Sequence, residues 1–205
     1  IVSLLNALPG AVAQGLIWGI MAIGVYITFR ILDIADLTVD GTLCTGGAVC
    51  IMMMQSGHNV WVSLLVALIA GLLAGMVTGL LHTFMGIPAI LAGILTQLGL
   101  YSVNLKIMGK SNQAINVDKF DLLVSLRYIK NVPIYRNTIL LVAVIIVVLI
   151  AFLYWFFGTE LGCSLRATGC NDRMSRAQGI NTDFNRVLGL MISNGLVAFS
   201  GALLS

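Results

Sequence analysis

Asp33, Asp36 and Asp40 stand three and four residues apart, and on a helix that spacing would put three carboxyl groups on one face. Two chemistries suit such a set. Carboxyl groups within a membrane can hold a cation or the amine of a solute. At the aqueous interface, they would instead favour the positive end of a helix beginning near Thr38. A second ionisable set is basic: Arg166, Arg173, Arg176 and Arg186 lie in or beside the polar interruption 158–181, which separates two apolar runs. Arginines in that setting face water, a partner surface or lipid headgroups. A third set is neutral. Thr96, Gln97, Tyr101, Ser102 and Asn104 on one apolar run, and Asn194 on another, could line a solute path without a buried charge; interhelical hydrogen bonds account for them equally well.

Other chemistry finds little support. Cys44, Cys50, Cys163 and Cys170 have no Cys-x-x-Cys spacing, and His58 and His82 have no histidine partner, so ordinary thiols and no metal site are expected. His82 reads as an interfacial side chain closing a helix. No Gly-x-x-x-x-Gly-Lys-Ser/Thr phosphate loop occurs, and no convergent catalytic cluster stands outside residues 33–40, so the chain is not expected to be an enzyme or to hold a cofactor.

The elements that must position these residues are membrane helices. Hydrophobic residues make up 59% of the 205, charged residues 9%, and mean hydropathy is +1.02, against about a quarter charged in soluble domains. At about 20 residues per crossing, the length accommodates five or six crossings and one membrane domain, residues 1–205. The 11 basic and 8 acidic residues lie between the apolar runs and form no single patch, which argues against a nucleic-acid partner. The N-terminus carries no basic region before a full-length apolar run, so no cleavable signal peptide is expected.

The first crossing is predicted from about Ala11 to Phe29, with Gly15, Gly19 and Ala22 as a packed face. The charged segment 31–41 and the short apolar run 42–54 read together as an interrupted or re-entrant element, which protein or a water-filled cavity must cover. Residues 61–81 form the next crossing, with Ser63, Ala67, Gly71, Gly75 and Gly79 along it as a face for another helix. Gly86-Ile-Pro88 breaks the chain before a run from Ala89 to about Leu105. A hydrophilic loop, 106–136, carries six basic and two acidic residues, and crossings at 137–157 and 184–205 follow. Tyr154, Trp155, Phe156 and Phe157 crowd one interface. Within 158–181, Leu161 to Thr168 is predicted as a short helix ended by Gly169. Asn171 caps a second one from Asp172 to Gln178 that Gly179 ends, and Asn181 or Thr182 caps the crossing that follows.

Leu165-Arg-Ala-Thr-Gly169, Asn171 and Arg176-Ala-Gln-Gly-Ile-Asn181, followed by a helix with Ser200-Gly-Ala-Leu-Leu204, resemble the cytoplasmic coupling segment of ABC-importer permeases for branched-chain amino acids and ribose. Asp36-Leu-Thr-Val-Asp-Gly41 is similar to an Asp-Leu-Ser-Val-Gly element in the sugar branch, and the two motifs come in the same order. The likeness is strongest to a branch assigned in part to aromatic amino acids such as tryptophan. Met174-Ser175 replaces a common alanine pair, Asp40 is an extra aspartate, and family members continue for further helices, so a C-terminally truncated permease domain is expected.

The resemblance implies an all-α, polytopic bundle in a bacterial cell membrane, with an early broken or re-entrant element and a cytoplasmic coupling helix. It implies a solute-path subunit of an ATP-driven importer for amino acids or similar small polar solutes. Expected partners are a cytoplasmic ATPase that holds the ATP and Mg, an extracytoplasmic binding protein, a second permease chain and membrane lipid. Arg166, Gly169, Asn171, Asp172, Arg173, Arg176 and Gly179 would form the ATPase-coupling segment, and Thr96, Gln97, Tyr101 and Asn194 the substrate pathway. A secondary transporter or channel without an ATPase is the alternative. Alternating crossings then place loop 106–136 outside, although its six basic residues exceed the five of Arg30, Arg166, Arg173, Arg176 and Arg186.

Overall fold

A computed structural model describes residues 2–110 and 132–205, with side chains over 7–110 and 139–205. The helices are α1 (Val2–Tyr26), α2 (Val39–Gln55), α3 (Val60–Thr83), α4 (Ala89–Met108), α5 (Val132–Gly158), α6 (Glu160–Cys170), α7 (Asp172–Ala177) and α8 (Thr182–Leu204); a π-helical turn at Ile27–Ile31 extends α1. Among the described residues, five helices are long and apolar enough to cross a bilayer, namely α1 with its π-turn, α3, α4, α5 and α8. At 17 residues, α2 is not one of these. It is the most enclosed of the early elements, packed against α3, α4 and α8. This is the interrupted element expected from sequence, with its helix starting at Val39 and not at 42.

The bundle is organised around α8, which packs most extensively against α3 and next against α2. Small residues explain the closeness. Along α3, Gly71, Gly75 and Gly79 lie so near to Asn194 and Ala198, Leu190, and Val187 of α8 that a Cβ at any of them would collide. In a membrane, where lipid is as apolar as leucine, helices associate through such backbone approaches and through hydrogen bonds. On α2, Gly46 meets the Ala198 carbonyl and Gly47 approaches Gly201 and Ser205. Ser193 donates to the Gly24 carbonyl at 2.6 Å and Ser200 to that of Ile17 at 2.8 Å, joining α1 to α8. The packed face of α1 is therefore Ile17, Ile20 and Gly24. Gly15 and Gly19 have open space beside them and Ala22 is exposed, because the face that meets α8 is rotated away from them.

These pairings fix the helix directions. α1 and α3 run antiparallel to α8, while α2 runs parallel to it. α4 follows α2, since Gly93 lies against Leu37 and Gln97 against Gly41. One end of the bundle thus gathers Arg30, His82, Pro88 and the whole of 158–181; the C-terminus of α4 is at the other. Segment 111–131, most of the predicted basic loop, lies outside the described residues. Arg30, Arg166, Arg173, Arg176 and Arg186 sit at the α6 end, and among the described residues Lys106, Lys110 and Arg136 lie at the opposite one.

The turns follow local chemistry. Gly86 adopts a φ of +64° in the break before Pro88, and His82 Nδ1 lies 2.8 Å from the Ile87 carbonyl oxygen, closing that turn. Asp33 has a φ of +56°, a left-handed conformation that a short polar side chain tolerates better than most. It follows the π-turn and sends the chain into the non-helical stretch 33–38.

Candidate functional site

The three aspartates do not share a face. Because residues 33–38 are not helical, Asp33 and Asp40 are exposed, whereas Asp36 is only 2% exposed. Its Oδ1 accepts from the Thr38 backbone N–H at 2.9 Å, so one carboxyl oxygen caps the start of α2. Its Oδ2 accepts from Asn194 Nδ2 at 2.8 Å. Asn194 also donates to the Leu190 carbonyl at 3.0 Å and accepts from Thr42 Oγ1 at 3.0 Å. Nearby, the Thr38 and Thr78 hydroxyls pair at 3.0 Å. This network ties α2, α3 and α8 together at mid-bundle, where an unmade polar bond would be costly. Neither reading of the aspartates taken as a set fits: the cap at α2 belongs to Asp36 alone, and it is made inside the bundle.

Asn194 is accordingly a scaffold residue. Its exposure is 0%, and its amide is committed to Asp36, Thr42 and Leu190, so it does not face an open path. Thr96 is also buried, its hydroxyl donating to the Ala92 carbonyl at 2.9 Å. Gln97 is half-buried beside Gly41, and Tyr101, one helical turn on, is 64% exposed. The structure therefore leaves Gln97 and Tyr101 on an open face of α4 and withdraws Thr96 and Asn194 into the protein. Thr38, Thr42 and Thr78 were not singled out by sequence reasoning. Threonines on an apolar helix signal only that some oxygen acceptor lies nearby, and here Thr42 and Thr78 bond both backbone carbonyls close in the chain and side chains of other elements.

The second constellation is the pair α6 and α7. Thr159 caps α6 by accepting from Gly162 N–H at 3.4 Å. The helix continues through Gly169 to Cys170, one turn-third beyond the predicted stop. Gly169 is not a terminating residue. It is a contact residue, where α6 comes up against the Ile31 carbonyl of the π-turn and leaves no room for a side chain. Asn171 ends α6 and caps α7, its Oδ1 accepting from Met174 N–H at 3.1 Å. Gly179, at a φ of +84°, makes the turn after α7, and Asn181 caps α8 by accepting from Phe184 N–H at 3.1 Å.

Both short helices are fastened to the first turns of α8. Asn185 donates Nδ2 to Thr168 Oγ1 at 3.0 Å and accepts from Ser164 Oγ at 3.3 Å. Asp172 Oδ2 pairs with Arg186 at 3.2 Å and Arg176 at 3.5 Å. Arg176 reaches Asp183 Oδ1 at 2.7 Å and donates Nε to Thr182 Oγ1 at 2.7 Å. Leu165 is buried with Ile27, Leu32, Leu153 and Leu190 beneath this polar frame. Of the seven predicted coupling residues, Asn171, Asp172 and Arg176 shape the frame, Gly169 and Gly179 permit its contact and turn, and Arg166 and Arg173 are exposed cations without an ion pair among the described residues. Met174 is 59% exposed on the outer face of α7. The arrangement is a short surface helix joined by ion pairs to the first turns of a central membrane helix.

Comparison with known proteins gives this geometry a family. Residues 8–205 match the family model for branched-chain amino acid transport system permease components. A tyrosine transport system permease protein from Clostridioides difficile is 38% identical over 201 residues, covering 98% of this chain and 65% of the relative. An uncharacterized protein from Rickettsia prowazekii is 38% identical over 201 residues, covering 97% of this chain and 68% of its own. A fructose import permease protein from Bifidobacterium longum is 31% identical over 169 residues, 81% of this chain and 46% of that protein. The chain thus spans about two-thirds of the length of the first two relatives. No solved structure matches. With its apolar crossings arranged around α8, the chain is a multi-pass cell-membrane protein and belongs to the family of branched-chain amino acid transport permease components.

Proposed function

We propose that this chain is the solute-path subunit of an ATP-driven importer, working as a pair of permease chains with a cytoplasmic ATPase and an external binding protein. The observation that carries the reading is the α6–α7 frame. A six-residue helix presents Arg173 and Met174 outward while Asp172 and Arg176 lock it to α8. A docking helix needs that combination, because a partner's closure moves membrane helices only when the contact is stiff. Arg173 would meet an acidic group of the ATPase, and Met174 would fill an apolar notch. ATP and Mg would be held by that partner.

The transported solute in this reading is an aromatic amino acid, the class suggested by the similarity to a tyrosine permease. Gln97 and Tyr101 on the open face of α4 would contact it, with Thr96 and Asn194 supporting the helices behind. Purification of the full-length protein from its native membrane in mild detergent tests the proposal. Stoichiometric recovery of a cytoplasmic ATPase is expected. A folded permease that reproducibly comes without one would favour a secondary transporter or channel.

A further inference from the structure

At the α6 end of the bundle, a cavity of about 600 Å³ opens between the π-turn, the last turn of α5 and α6. Tyr26, Arg30, Tyr154, Phe157 and Arg166 line it. The two arginines come from elements distant in sequence, and neither has an ion pair among the described residues, whereas Arg176 and Arg186 do. Two guanidinium groups lining one cavity attract an anion into it. Guanidinium forks and tyrosine hydroxyls are donors suited to phosphate oxygens.

Depth decides which phosphate. The cavity lies where the apolar stretches of α1 and α5 end, within the aromatic band of Tyr154, Trp155, Phe156 and Phe157, the level at which headgroups sit. Along α5 from that point, Ile150 and Val147 are exposed one below the other, an apolar track for an acyl chain. Basic pockets between membrane helices on the cytoplasmic side hold anionic headgroups in this way. We infer that Arg30 and Arg166 bind the phosphate of an anionic phospholipid. The bound lipid would join the π-turn, α5 and α6. This inference does not depend on the presence of an ATPase.

Native mass spectrometry of the full-length protein tests it after exchange into phosphatidylglycerol or phosphatidylcholine. Retention of phosphatidylglycerol but not phosphatidylcholine is expected, falling about thirtyfold in R30Q/R166Q, or about fivefold for each arginine. R173Q, altered outside the cavity, should retain the lipid as the wild type does. Equal retention of the two lipids by the wild-type protein would overturn the inference without reference to any variant. Undiminished retention by R30Q/R166Q would overturn the assigned residues. Displacement of the lipid by millimolar inorganic phosphate would show a free-anion site and overturn the lipid assignment.

Discussion

Replacing Asn194 with alanine should unfold the middle of the bundle more readily than any change on its surface. The amide gives Asp36 Oδ2 a hydrogen bond of 2.8 Å and accepts one of 3.0 Å from Thr42. In N194A the Asp36 oxygen has lost its donor inside a site only 2% exposed, while Thr42 keeps the carbonyl acceptors of Thr38 and Val39. One stranded buried oxygen costs about 1–3 kcal/mol, and the space vacated by the amide adds to that. A total of about 3 kcal/mol corresponds to a fall in Tm of roughly 6–12 °C for a chain of this size. Thermal unfolding of the detergent-solubilised protein, followed by size-exclusion chromatography, measures it, with Y101A as the exposed control. The exchange D36N/N194D keeps an amide opposite a carboxyl and should recover part of the loss. A Tm for N194A within error of Y101A, or an exchange variant worse than the sum of its single changes, would refute the network as a source of stability.

Three further outcomes follow from the same geometry. G46A should destabilise by more than about 2 kcal/mol, because its Cβ would enter the Ala198 carbonyl and force α2 from α8; G15A, with open space beside it, should raise stability by about 0.5–1 kcal/mol, both read as Tm. D172N should leave Tm nearly unchanged, since its ion pairs are partly exposed, yet weaken ATPase recovery in pull-downs by loosening α7 from Arg176 and Arg186. R173E should reverse the charge of the docking face and lower ATPase recovery about tenfold, with the permease still monodisperse.

What the sequence made legible was local. Asn171, Asn181 and Gly179 announce caps and a turn through chemistry confined to a few residues, and all three perform those roles. The glycine stripe of α3 is readable because small residues at a four-residue period serve helix contact. The roles that depend on residues far away in the chain were not legible. Asn194 reads equally well as pathway or scaffold until Asp36 and Thr42 are seen against it. Gly169 reads as a helix stop until the π-turn is seen pressed against it, and nothing in the pattern of residues 27–31 announces that turn. The aspartates misled because their spacing makes one face only if the segment is helical, and Asp33 turns the chain instead.

The most direct test of the account is photo-crosslinking from α7 in the native membrane, with Met174 replaced by p-benzoylphenylalanine in the full-length protein. The expected result is a crosslink to a cytoplasmic ATPase that disappears in the R173E background. A probe that reaches only lipid or water in membranes holding the folded permease would contradict it.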